Sequence, residues 1–129
     1  MRFLIDTQIF IWWDSEPEKL PTRLFALCGD PAHTLVLSVA SVWEMQIKVQ
    51  IGKLDLDRPL HEIIAEQQRN NLLELLPIEL RHVLALQQLP LHHKDPFDRI
   101  IIAQAYSEQL TLLSVDNIFP QYPVSVMRG

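Results

Sequence analysis

The feature that most constrains this chain is a helix too apolar to be left in water that opens on two acids. The stretch reads His92-His93-Lys94-Asp95-Pro96-Phe97-Asp98-Arg99-Ile100-Ile101-Ile102-Ala103-Gln104-Ala105. Asp95 before Pro96 predicts a helix N-cap with proline at the first helical position. Asp98 then falls in the first turn, on the face of Asp95. Ile100 to Ile102, Ala103 and Ala105 leave little that is solvated, so the helix must be buried over most of its surface. Acids at a helix start are ordinary capping chemistry, because they satisfy free N–H groups and the positive end of the dipole. The same pair at the mouth of a buried helix also suits a cation. The other acids of the chain decide between the two.

The rest of the sequence sets short apolar runs between helical stretches. Arg2 to Ile5 predicts a buried strand ending at Asp6, and Thr7 to Trp13 a short helix packed on it. Pro17 and Pro21 mark a turn; Lys19 to Cys28 has helical spacing and stops at Gly29-Asp30-Pro31. Thr34 to Leu37 predicts a second strand ending at Ser38. A helix to Gln50 follows, with Val42, Trp43, Ile47 and Ile51 on its apolar side and Gly52 as its stop. Leu60 to Asn70 reads as amphipathic helix, Leu72 to Leu76 as strand, and Glu79 to Gln88 as helix carrying Val83, Leu84 and Leu86. Beyond the organising helix, Leu110 to Val115 predicts a strand ending at Asp116, and Val124 to Val126 a short terminal one. Strands alternating with helices predict an α/β fold: one central parallel sheet of about five short strands, flanked by helices on both faces. With no repeat or linker, residues 1–129 are expected to form one domain.

Composition narrows the class. The hydrophobic fraction of 48% and charged fraction of 21% are those of a packed globular chain. No apolar run approaches the roughly 20 residues of a membrane span, and nothing at the N-terminus resembles a signal segment, so a cytoplasmic protein is expected. Cys28 is the only cysteine. It excludes an internal disulfide and a thiolate metal cluster, and reads as a small buried hydrophobe. The net charge of −5 argues against a simple groove binder, which would carry a basic face for phosphates. It leaves room for acids that hold Mg²⁺, the metal in turn meeting a phosphate.

In open parallel sheets, ligands bind beyond the carboxyl ends of the strands. Asp6 and Asp116 each end an apolar strand, and Glu44 lies early in the helix after the second. These three are expected on one rim. The rule applied to helices that follow strands does not bring Asp98 there, since its helix leads into a strand. Each acid also has a plain role: Asp6 as a helix cap, Glu44 in a capping box with Ser41, Asp116 in an Asx turn. Together they argue further. A buried acid without a partner is costly, carboxylates on one rim raise each other's pKa, and a hard divalent cation relieves both.

These residues resemble the PIN-domain ribonucleases of the VapC type, the toxins of toxin–antitoxin pairs. The likeness runs nearly end to end. It rests on Phe3-Leu4-Ile5-Asp6-Thr7, on Ser41-Val42-Trp43-Glu44 with Ile47-Lys48 and Ile51-Gly52-Lys53-Leu54, on Asp95-Pro96-Phe97-Asp98-Arg99 with Ile102-Ala103-Gln104-Ala105, and on Leu113-Ser114-Val115-Asp116. The third group is the most specific. The resemblance implies a catalytic and metal-binding quartet of Asp6, Glu44, Asp98 and Asp116, and puts Asp98 in the pocket with the others. Asp95 is an additional acid, open between metal contact and N-cap. The implied activity is Mg²⁺-dependent cleavage of RNA phosphodiester bonds, with Mn²⁺ as a substitute. Asp6, Asp98 and Asp116 would hold one or two ions that activate water, with Glu44 as a second contributor or proton acceptor. Thr7 and Ser114 are auxiliary hydroxyls. Lys48, Arg99, Lys94 and Lys53 are candidates for RNA backbone contacts, against a plain surface ion pair for Lys48 with Glu44. The implied partners are RNA, a cognate antitoxin and a second copy of the chain, with no membrane.

Other features point elsewhere and carry less. The five histidines show no zinc spacing; His92 and His93 read as polar loop residues near the pocket. Trp12, Trp13 and Trp43 read as core, although Trp12 and Trp13 cannot both face inward, so one is expected in an interface with a second copy or an antitoxin. The helices between Pro17 and Cys28 and between Leu60 and Asn70 are candidate clamps. A phosphoacceptor signalling domain would want paired acids after the first strand, and a haloacid-type phosphatase a second acid at Gln8; Asp6-Thr7-Gln8 supplies neither. The remaining rival is a non-catalytic interaction module on the same fold.

Overall fold

The computed structural model describes residues 1–129. Five parallel strands form one sheet: β1 (Arg2–Ile5), β2 (Thr34–Ser38), β3 (Glu74–Leu76), β4 (Thr111–Leu113) and β5 (Val126–Met127), in spatial order β3-β2-β1-β4-β5. Helices α1 (Thr7–Ser15) and α2 (Thr22–Gly29) connect β1 to β2. Helices α3 (Val39–Gln50) and α4 (Leu60–Asn71) connect β2 to β3, and α5 (Leu80–Ala85) and α6 (Pro96–Glu108) connect β3 to β4. The sheet and its flanking helices are those the alternation predicts.

Both faces of the sheet are buried. Alternation along the strands splits their side chains between two cores. Phe3, Ile5, Leu35, Leu37 and Leu113 pack with Ile9, Phe10, Leu24, Met45 and Ile63 on one face. Leu4, Val36 and Leu112 pack with Ile101, Ile102, Ala105 and Phe119 on the other. The expectation for α6 holds: Ile101 to Ala105 are all buried, and Asp95 caps the helix by accepting from the Phe97 and Asp98 N–H groups. Cys28 is buried as expected, and burial pushes its thiol up to about 11.

Several expectations need correction. Helix α2 begins at Thr22, not Lys19, because Leu20 precedes Pro21 and is held extended (ψ 136°). The stretch Glu79 to Gln88 divides into α5 and a 3₁₀ turn at Leu86–Gln88. Its buried residue is His82, while Val83 and Leu84 are exposed. The imidazole replaces an apolar contact because both nitrogens are used: Nδ1 accepts from the Glu79 N–H, and Nε2 lies 3.2 Å from Glu108 Oε2 on α6. In α3 the inward side carries Ala40, Ser41, Glu44 and Met45, while Trp43 and Ile51 are exposed. Trp43 is therefore not core; it packs edge-on against Phe97, ring centres 5.0 Å apart. Trp12 and Trp13 are half-buried at the margin of the first core. Leu72 is the left-handed cap of α4 (φ 55°), which delays β3 to Glu74, and β5 starts at Val126 rather than Val124.

The strand order positions the site. From β1 the chain moves outward to β2 and β3, then returns to β4 on the other side of β1. The crevice beyond the carboxyl ends of β1 and β4 is thus the point where the winding reverses, the place such sheets offer to a ligand.

Candidate metal-binding acidic pit

Register brings the first pair of residues together. Ile5 pairs with Leu113 across β1 and β4, so Asp6 and Ser114 leave the sheet side by side, and the Asp6 N–H donates to the Leu113 carbonyl at 3.1 Å. Asp6 also caps α1, its Oδ1 accepting from the Ile9 N–H at 2.8 Å. Its Oδ2 accepts the Ser114 hydroxyl proton. Ser114 Oγ in turn accepts from the Asp116 N–H at 3.1 Å, which ties the Asp116 turn to Asp6. Asp116 makes the expected Asx turn, accepting from the Ile118 N–H at 3.0 Å. Being exposed, it leaves its carboxylate open to the pit.

Helix α3 supplies Glu44. The expected capping box with Ser41 does not form: the N-cap is Ser38, which accepts from the Ala40 N–H. Glu44 is one turn further in and buried, with Thr7 Oγ1 donating to its Oε1 at 2.7 Å. Ser41 Oγ lies 2.9 Å from the same threonine oxygen. On its outer side Glu44 Oε2 meets Lys48 Nζ at 3.0 Å. The i,i+4 ion pair expected of Lys48 is therefore made.

Asp98 reaches the same place by a rule the sequence reading left out. In a crossover the helix runs back along the sheet, whichever strand it leads into. At 13 residues α6 spans roughly 20 Å and must end at the amino end of β4. Its start then stands at the carboxyl rim. Asp6, Glu44, Asp95, Asp98 and Asp116 all line one open cleft of about 360 Å³, together with Thr7, Gln8 and Lys48. Lys94 is exposed, one residue before Asp95 in the chain, and is not among the residues lining the cleft. Arg99 is committed elsewhere: its NH1 donates to the Pro90 carbonyl at 2.9 Å and the Tyr122 hydroxyl at 3.1 Å.

The electrostatics follow from burial first and from the neighbouring acids second. Burial, opposed by bonds from Ser114 and Ile9 and assisted by Asp116 and Glu44, pushes Asp6 up to about 6. Burial first, then Asp95, Glu44, Asp116 and Asp6, pushes Asp98 up to about 7. No three acidic, histidine or cysteine side chains are drawn close enough to grip an ion as the chain stands. The donor set itself fits a hard divalent ion: the oxygen donors lining the cleft are five carboxylates, the Thr7 hydroxyl and the Gln8 amide, with no sulfur or imidazole among them.

Sequence reasoning missed Ser41 as the hydroxyl beneath Thr7, and it missed Tyr122. The signal for Tyr122 was a phenol in a proline-bordered turn, which needs a partner when buried. The histidine expectation holds for His93, which sits 3.5 Å from Asp98 Oδ2.

The family model for the PIN domain matches residues 3–124. Among curated proteins no sequence matches. The fold is shared with VapBC2 from Rickettsia felis bound to a DNA fragment from their promoter (16% identity, 98% of each chain, TM-score 0.72). It is shared also with FitAcB from Neisseria gonorrhoeae (19%, 97% of this chain and 96% of that one, TM-score 0.68). A third match is VapBC-5 of the VapBC family of toxin–antitoxin systems from Mycobacterium tuberculosis (20%, 98% and 95%, TM-score 0.59).

Proposed function

The chain belongs to the PIN domain family, and from that premise we propose that it is a metal-dependent endoribonuclease, the toxin of a toxin–antitoxin pair. One observation carries this reading: five carboxylates from four separated segments line one cleft with a single lysine among them. Asp6, Asp98 and Asp116 are the residues to hold Mg²⁺ or Mn²⁺, with Asp95 divided between that task and its cap. The ion, when bound, supplies Lewis acidity to the phosphate and lowers the pKa of water.

The protein's own groups do the rest. Ser114 fixes the Asp6 carboxylate from below, and the Ile9 N–H fixes its other oxygen. Thr7 and Lys48 hold Glu44 by one oxygen each, which aims it as the acceptor of the proton lost by the attacking water. Lys48 and Lys94 meet the RNA backbone at the cleft edge. Gln8 and Asp116 line the same cleft.

The toxin role draws on the solved neighbours, among them a member of the VapBC family of toxin–antitoxin systems. An antitoxin segment covering the pit, a homodimer and a cytoplasmic setting complete the proposal; no helix of the chain is long and apolar enough to cross a membrane. The test is cleavage of a labelled RNA with and without Mg²⁺ or Mn²⁺. Cleavage should need the ion and vanish in Asp6→Asn and Asp98→Asn variants that still fold. Equal cleavage by wild type and both variants would betray a contaminant. No cleavage of any RNA, with the ion bound, would favour the non-catalytic module.

A further inference from the structure

Next to the pit stands a relay that the quartet does not use. Tyr122 is buried, and its hydroxyl has three neighbours. The His92 N–H donates to it at 3.2 Å, and Arg99 NH1 donates to it at 3.1 Å. The third, His93 Nδ1, lies at 2.8 Å. A phenol has one proton, and both donors occupy its lone pairs. Its proton must therefore go to His93 Nδ1, which makes that nitrogen an acceptor. The ring hydrogen is left on Nε2. That nitrogen is buried without a hydrogen-bond partner, and it lies 3.5 Å from Asp98 Oδ2.

We propose that His93 is a positioning residue for Asp98, its tautomer set by Tyr122 so that an Nε2–H donor is aimed at one carboxylate oxygen. A small turn of Asp98 completes the bond. The carboxylate then has one oxygen tied to His93 and the other free for a cation. Ligating carboxylates are usually hydrogen-bonded in this way, and loss of such a partner weakens metal binding by roughly 10- to 100-fold. Arg99 takes part from behind. It anchors the phenol and links it to the Pro90 carbonyl, which explains why a cation so near the pit faces away from it. The role toward an ion rests on the metal-dependent reading above; the tautomer does not.

Two measurements separate these. Nitrogen-15 NMR of the metal-free imidazoles reads the tautomer. His93 should be the Nε2–H form in the wild type and should lose that preference in Tyr122→Phe. An Nδ1–H form in the wild type would overturn the proposal. Titration with Mn²⁺ alone, followed by calorimetry, reads the positioning. His93→Leu should weaken Mn²⁺ by about tenfold, and Tyr122→Phe should weaken it less. His93→Gln, which keeps an N–H donor, should recover most of the affinity, a rescue that a purely structural role would not give. His93→Leu binding Mn²⁺ as tightly as wild type, with the fold intact by circular dichroism, would overturn the proposal. If His93→Leu does not fold, Tyr122→Phe decides on the same two readouts. A wild type with the expected tautomer and no Mn²⁺ binding would remove the metal reading, and with it the role of His93, while leaving the hydrogen-bond chain in place.

Discussion

The two ends of α1 carry acids in opposite circumstances. Asp14, in the last turn, has a side chain only 3% exposed. Arg58 NH2 donates to both its oxygens, at 3.1 and 2.9 Å, and Gln67 Nε2 adds a third bond at 2.9 Å. Arg58 reaches Glu66 as well. An acid at the negative end of a helix is thus matched by a cation from the chain itself. Asp6 caps the other end, where the dipole favours it, yet no Lys or Arg bonds to it and it is pushed up to about 6. The sequence has arginine available to neutralise a buried acid and uses it at Asp14. At the rim it gathers five acids around one lysine. Such an arrangement is costly unless its cation comes from outside.

Breaking either cluster should have opposite consequences. The largest effect is on chemistry. Asp6→Asn or Asp98→Asn should lower RNA cleavage by on the order of 100-fold or more, measured at saturating Mg²⁺. Asp14→Ala should leave the cleavage rate of folded protein within a few-fold, about 1 kcal/mol at the barrier. Next comes the response to the ion. Mn²⁺ at about 100 times its Kd should raise wild-type stability by about 2.7 kcal/mol in urea unfolding, and should do nothing for the Asp6→Asn, Asp98→Asn double variant.

Smaller is the change without metal. Asp14→Ala should destabilise by about 1–3 kcal/mol, because the donors of Arg58 and Gln67 lose their acceptor. Asp98→Asn should stabilise the metal-free protein near pH 7.5 by about 1–2 kcal/mol, because it removes a charge that burial and neighbours disfavour. The pH dependence has the same origin. Asp6 and Asp98 titrate near 6 and 7 when folded, against 3.8 as the ordinary value. Between these values the folded chain binds more protons than the unfolded one, so stability falls as pH rises. The melting temperature of metal-free protein should therefore decline from about pH 4 to about pH 7 from these groups. Saturating Mn²⁺ should flatten the decline, and Asp98→Asn should reduce it.

How much of this was legible depends on where the information lay. The sheet was readable because its strands are apolar runs bounded by polar caps, and α6 because Asp95-Pro96 and its isoleucines agree on one reading. Helix α3 misled because its inward face is polar. Periodicity rewards Trp43 and Ile51, whereas the fold turns Ser41 and Glu44 inward to meet Thr7. His82 misled in the same way, since a histidine with both nitrogens partnered can take a core position. Asp98 was identified by likeness and not by topology, although the direction of a crossover helix would have been enough. The Tyr122–His93–Asp98 chain was out of reach, because it depends on counting lone pairs at one oxygen.

The most direct measurement is anomalous diffraction from crystals soaked in Mn²⁺. The expected result is a peak within coordination distance of carboxylate oxygens from Asp6, Asp98 and Asp116, the side chains having turned inward from their present positions. A pit with no ordered ion at saturating Mn²⁺, or a peak lodged on other acids, would contradict the claim that this rim draws its cation from solution.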